Sequence, residues 1–358
     1  MMAKKISTKV LWDVGTAYEL FVSLHVLHAP EKFGLRASWA AGIRSRIPAA
    51  ERKFLEEVMP FLSVPMPWIS TLTDPKDSVS VLWQLRQIEP AKRMLEVHIE
   101  DREFSHNDII DIIKNIVKNE SYTDAEFQTL SRKFTGGKHE HTEVELRRFL
   151  DWWTRPAEYG EMYLASIQAY HQSFFAEEEK RVAPILQAGL EHGRELASKL
   201  DLPDLLAELS QGVRMDELIH AKELLLVPAF WITPLILFDF LDNGRAIVLY
   251  GARPATMSAI PGGVLPDGLL NALKALADPT RLKILHYIAQ EPHTPSRLAK
   301  RLRLRAPTVT HHLSELRLAG LVNMTMEGQE KKYTARFEAL QATFNTLQDF
   351  LKMQEEKI

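Results

Sequence analysis

The chain has 358 residues, 46% of them hydrophobic and 25% charged, and it contains no cysteine. That length suits two domains, or three, with a globular composition. The absence of cysteine excludes disulfides, thiolate nucleophiles and thiolate metal sites.

No run of apolar residues is long enough to span a membrane. The opening MMAKKISTKVLWDVG has basic residues but no apolar stretch of signal-peptide length, which predicts a cytoplasmic protein. The net charge of −3 is unevenly spread: residues 269–336 hold 12 Lys and Arg against 5 Asp and Glu, while residues 1–268 carry a net −8. An acidic body with a compact basic module predicts a nucleic-acid-binding C-terminal part.

In chain order, the first two hundred or so residues are predicted to be mainly helical. TAYELFVSLHVLHAP opens with Thr16 and Glu19 at the spacing of a capping box, continues with Leu20, Leu24 and Leu27, and closes at Pro30. TDAEFQTLSRKF repeats that logic with Thr123 and Glu126. GGKHEH, 136–141, reads as a loop; His139 and His141 would supply half a metal site at most, and a solvated loop is the simpler reading. Tyr159, Tyr163, Ile167, Tyr170 and Phe174 then recur at steps of three and four, a stripe expected in a core. Glu177, Glu178 and Glu179 read as a solvated helix face.

From 223 the pattern changes. ELLLVPAF is a short apolar run, and LILFDF and RAIVLY flank Asn243-Gly244, the dipeptide that favours a tight hairpin. A small antiparallel β element is predicted near 223–251. GARPATMSAIPGGVLPDG, 251–268, is rich in Gly and Pro and reads as a linker. The predicted organisation is mainly α: a helical domain over 1–260 and a second domain over 261–358.

In the second domain, LLNALKALA is a helix, Asp278 caps the next with Pro279 at its first position, and Thr294-Pro295 starts a third. A short turn leads to APTVTHHLSELRLAG, which has Pro307 in its first turn and Gly320 at its end. Ala299 is small where the two helices would cross, and Leu304 and Val309 stand where a helix-turn-helix buries apolar residues. LVNMTMEGQEKKYTAR then alternates around Glu327-Gly328, predicting a β-hairpin. The whole reads as a winged helix.

At about 100° per residue, Val309, Leu313 and Leu316 share one face of the second motif helix. Thr310, His311 and Ser314 share the opposite face, and His312 borders the buried one. Adjacent His311 and His312 diverge too far to share a metal ion. His311 is therefore expected at DNA and His312 at the core edge.

Residues 269–351 resemble the ArsR/SmtB family of winged-helix repressors, through LADPTRLKILHYI, LAKRLRLRAPTVTHHLSELRLAGLV and EGQEKKYTAR. The resemblance implies a homodimer on a palindromic DNA operator. It implies DNA contacts from Ser296, Arg297, Arg303, Arg305, Thr308, Thr310, His311, Ser314, Lys331 and Lys332. Dimerisation is expected through Leu270 and Leu273 and through the stripe Leu340, Phe344, Leu347 and Leu351 on the last helix. The family's metal sites do not carry over: Thr294, Pro295 and Ser296 stand where thiolate sensors have Cys-Val-Cys, and the last helix has no histidine. No metal or cofactor is expected. Arg303 replaces the usual turn Gly and Arg305 the usual Ser cap, each at a cost of about 1 kcal/mol. Both changes add positive charge to a run that includes Arg297, Lys300 and Arg301.

AYELFVSLHVLHAPEKFGLRASWAAGIRSR and LLLVPAFWITPLILFDF are similar to an uncharacterised domain that precedes the winged helix in some long ArsR-type regulators. Three function classes remain open. The first is a repressor that answers to an unknown small-molecule effector. The second is a DNA-binding regulator whose N-terminal domain only dimerises or recruits a protein. The third is an enzyme fused to a DNA-binding module, ranked last because no phosphate-binding Gly loop, nucleophile elbow or HExxH is present.

Overall fold

The computed structural model describes residues 8–99, 107–135, 141–263, 265–327 and 330–352. Among the described residues the chain is mainly helical with two small sheets. The strands are β1 (Lys9–Trp12), β2 (Val213–Met215), β3 (Glu223–Ala229), β4 (Ile236–Leu241), β5 (Arg245–Gly251), β6 (Val322–Glu327) and β7 (Glu330–Ala335). No helix among the described residues is long and apolar enough to cross a membrane.

Two compact units emerge. One is drawn from Met1–Trp12, Ile185–Phe238 and Val248–Ile358, the other from Asp13–Pro184 and Asp239–Ile247. In this grouping the winged helix shares its unit with earlier segments. β2 pairs in parallel with β6, and His293 bridges to Tyr333 in β7, so strand neighbours far apart in sequence complete the wing sheet. Three apolar or basic residues in a row, Val213–Met215, carry no strand signal in isolation.

The other sheet has the order β1-β3-β5-β4. The Asn243-Gly244 turn forms as its residue types require, with φ of 65° and 74°. The element is mixed rather than purely antiparallel: β1 pairs in parallel with β3, Lys9 opposite Glu223. Within the segment read as a linker, the described residues between β5 and Asp267 form turns and bends that are anchored at Ser258 and Ala259. Ala259 is buried, and its N–H and the Ser258 hydroxyl donate to the Asp267 carboxylate.

In the second unit, Thr16–His28 is central. It is enclosed nearly all round, with Thr16, Glu19 and Ser23 buried alongside its apolar residues. The expected stripe is core: Tyr159, Tyr163, Ile167, Tyr170 and Phe174 are all buried. The helix then widens into a π turn over His171–Phe175, which lets the adjacent Phe174 and Phe175 both turn inward. Buried Arg93 knits neighbouring helices by donating to the carbonyls of Leu85, Ile88 and Gly160. His141 lies over Phe61, with ring centroids 4.5 Å apart; His139 lies outside the described residues.

Two expectations are corrected here. The capping box at Thr123 and Glu126 is present in full, but that at Thr16 and Glu19 is not. The N-cap is Gly15, Glu19 is completely buried, and the Thr16 hydroxyl donates to Glu179 at 2.5 Å. The glutamate run is not a solvated face either. Glu177 is exposed, Glu178 is buried and ion-paired with Arg181, and Glu179 also accepts the backbone N–H and hydroxyl of Ser78. Glu179 thus holds two chain segments to its helix. Glu179→Ala should destabilise the protein by about 1–3 kcal/mol, since it leaves enclosed donors unpaired, and Glu177→Ala by less than about 0.5 kcal/mol. Urea denaturation of both variants checks this; equal midpoints would contradict it.

Candidate nucleic-acid interface

The C-terminal module is built from helices Asp267–Leu276, Pro279–Ile288, Pro295–Leu302 and Ala306–Leu318, the hairpin β6–β7 and the last helix Phe337–Lys352. Its helix starts follow the sequence. The Asp278 carboxylate accepts the amides of Thr280 and Arg281 at 2.8 and 2.9 Å, and the Arg281 amide bond is the main reason its pKa lies below the usual carboxylate value. Thr294 accepts the Arg297 amide at 3.3 Å.

The turn between the motif helices carries both expected departures. Arg303 sits in the left-handed region at φ 55° and ψ 40°, and Arg305 is an N-cap with no side-chain bond. Leu304, expected to be buried, is 37% exposed. The left-handed residue before it reverses the chain, leaving its N–H on the Ala299 carbonyl and its side chain outward.

Ala306–Leu318 is seated by Val309, Leu313 and Leu316, all at 0% exposure, against a core that includes Ile284, Leu298 and Ala299. Thr308, Thr310, His311 and Ser314 are exposed on the other side, and His312 is half-buried. The Thr310 and Ser314 hydroxyls donate to the carbonyls of Ala306 and Thr310, both at 3.0 Å. Their protons are thereby used on the helix, and their oxygens present lone pairs outward. The rings of His311 and His312 are 6.0 Å apart with planes at 47°, so they do not converge on a point. No group of three or more metal-capable side chains occurs among the described residues.

The basic run is less uniform than the sequence implies. Glu291, which precedes the motif, pairs with Arg297 at 3.0 Å and lies 3.6 Å from Arg301. Arg301 also stacks over Tyr287, 4.6 Å from the ring centre, and lies 3.3 Å from the Nε2 of buried His293. Burial lowers the His293 pKa, which favours a neutral ring able to accept from that guanidinium. Ser296, Arg303 and Arg305 are exposed. Sequence spacing missed the Glu291 contact because the residue lies outside the helix whose charges it meets.

In the wing, β6 and β7 run antiparallel from Val322 opposite Ala335 to Glu327 opposite Glu330. Lys331 is exposed and Lys332 half-buried; Gly328 of the expected turn lies outside the described residues. On the last helix Phe344 is 51% and Leu351 73% exposed. Leu340 and Leu347 are half-buried, and Leu340 packs on the module's core. Leu270 and Leu273, on the helix that opens the module, are also half-buried. Arg317 was not singled out by sequence, yet it is almost enclosed at the end of Ala306–Leu318.

Residues 276–325 match the model of a helix-turn-helix domain family. The transcriptional repressor SdpR of Bacillus subtilis (strain 168) is 31% identical over 81 residues, which cover 23% of this chain and 90% of that protein. The HTH-type transcriptional regulator CmtR of Mycobacterium tuberculosis is 45% identical over 60 residues, covering 17% of this chain and 51% of its own length. An ArsR-like transcriptional regulator from Rhodococcus sp. RHA1 aligns structurally at 33% identity over 23% of this chain and 77% of that one, with a TM-score of 0.22. Through its C-terminal module, the chain belongs to the ArsR family of winged helix-turn-helix transcriptional regulators.

Proposed function

We propose that the protein is a sequence-specific repressor that binds a palindromic operator in double-stranded DNA as a homodimer, and that its control does not depend on metal. The observation that carries the reading is the division of the recognition helix. With Val309, Leu313 and Leu316 fully enclosed, Thr308, Thr310, His311 and Ser314 form an outward polar face beside exposed Arg303 and Arg305. A helix so presented fits the major groove, where polar side chains meet base edges. Ser296, Arg297, Lys331 and Lys332 then flank it as phosphate contacts. The ion pair to Glu291 tempers Arg297, which must exchange its partner to reach DNA.

Dimerisation is assigned to Leu270, Leu273, Leu340, Phe344, Leu347 and Leu351. A second copy laid along the last helix would remove the exposed Phe344 and Leu351 from water. A two-fold dimer also matches the symmetry of a palindrome. The region before 260 is assigned to effector response; a domain serving dimerisation or protein recruitment alone is the second reading, and an added enzymatic activity the last. A ligand screen by thermal shift separates the first two, since a bound effector stabilises the folded chain by mass action.

His311→Ala should weaken binding to a site selected from random DNA by about 1–3 kcal/mol and leave random-sequence DNA nearly unaffected. Lys331→Ala should weaken both alike and reduce the salt slope by about one unit. His312→Ala should lower the melting temperature and keep sequence preference. Fluorescence anisotropy at several salt concentrations, with thermal melts, tests all three; unchanged site binding by His311→Ala would overturn the assignment.

Zinc, cadmium and arsenite should leave operator affinity unchanged, because neither family metal site has its residues here. Titration of each ion into the preformed complex checks this. Dose-dependent release reversed by a chelator would contradict it and direct attention to His139 and His141.

A further inference from the structure

The winged helix is held from outside its own sequence. Gln211 and Gly212 both have positive φ, 52° and 97°, and the resulting turn points three successive carbonyls at the DNA-binding module. Ser210 O accepts Nη2 of Arg317 at 2.6 Å and Gln211 O accepts Nη1 at 3.2 Å. Gly212 O accepts the backbone N–H of Met324 at 2.7 Å. The turn is itself braced, since the Ser210 hydroxyl donates to Val213 O at 3.0 Å and accepts the Val213 N–H at 2.9 Å. β2 then continues along β6, with Val213, Arg214 and Met215 opposite Met324, Thr325 and Met326.

Two consequences follow from this arrangement. Arg317 ends the recognition helix and is 8% exposed, so its charge is compensated by the two carbonyl dipoles rather than by water. Burial brings its pKa down to about 10, and the side chain remains cationic at neutral pH. β6, in turn, is bonded along both edges, to β7 and to β2. A single six-residue segment therefore grips the recognition helix at one end and the wing at the other. Behind it Leu209, Ser210, Val213, Leu218, Leu226 and Tyr250 are all buried around a gap no larger than a water molecule.

We propose that Ser210–Met215 positions the recognition helix relative to the wing, with Arg317 as the positioning residue, so that sequence-specific DNA affinity is set by a segment that touches no DNA. This rests on the DNA-binding reading above. It adds that a displacement of Ser210–Met215 misaligns both DNA-contacting parts together. The effect differs from that of losing a phosphate contact: binding to an operator needs helix and wing in register, whereas non-specific binding needs only the charge.

The test uses the full chain and a site selected from random DNA by the wild type. Arg317→Met keeps the bulk and removes the guanidinium. It should weaken binding to the selected site about tenfold, within the usual range of coupling between sites, with non-specific affinity and salt slope retained. Arg317→Lys should recover part of the loss. Gly212→Ala, whose added methyl would collide with Asn323 at a left-handed position, should act in the same direction, and amide exchange at Met324 should quicken in each weakened variant. If Arg317→Met fails to fold, Arg317→Lys and Gly212→Ala decide the matter by the same readouts. Folded variants that bind the selected site like wild type overturn the proposal, as does equal weakening on specific and non-specific DNA, which marks a merely structural role. A wild type that enriches no sequence overturns the DNA-binding reading itself, and is thereby distinguished from failure of the positioning role.

Discussion

The recognition helix is fixed by one apolar seam. Val309, Leu313 and Leu316 are spaced so that a single helical face carries all three, and enclosing that face determines which side chains face outward. Burial of three such residues contributes several kcal/mol, at roughly 1.5–3 kcal/mol each, far more than the missing cap at Arg305 or the left-handed Arg303 removes. That difference in magnitude explains how the motif tolerates two unfavourable turn residues. It also explains why the positive charge they bring can be kept where phosphates would lie.

A second constraint joins this module to the rest of its compact unit. The edge of a β-hairpin is a row of unsatisfied donors and acceptors, and on β6 that row is taken by β2, a strand from more than a hundred residues earlier. The Arg317 contacts with Ser210 and Gln211 close the same gap from the helix side. The DNA-binding module is thus not an independent bead on a Gly- and Pro-rich string. Its geometry is shared with the segment that precedes it, and the positioning role proposed for Ser210–Met215 rests on those contacts.

Much of the winged helix was legible in the sequence because its signals are local. Asp278, Thr294, Pro279 and Pro295 mark helix starts, Gly320 a helix end, and alternation around 327 the hairpin, and each lies within a few residues of what it controls. The Tyr159–Phe174 stripe and the Asn243-Gly244 turn were legible for the same reason. What escaped was non-local. Nothing in Val213–Met215 or Lys9–Trp12 declares a strand until a distant partner is supplied. Glu178 and Glu179 look solvated until Arg181, Thr16 and Ser78 are brought to them. Leu304 was misjudged because spacing alone does not show the chain reversal that Arg303 imposes. At the candidate site the exposed face was legible, but the Glu291 ion pairs and the grip on Arg317 were not.

The central claim is that the outward face of the recognition helix reads DNA from two copies related by a two-fold axis. Hydroxyl-radical footprinting of the full chain on a site selected from random DNA tests it most directly. The proposed dimer predicts a symmetric pair of protected stretches centred about one helical turn, 10–10.5 base pairs, or a multiple of it, apart. A single unpaired footprint, or protection with no sequence preference, would contradict it.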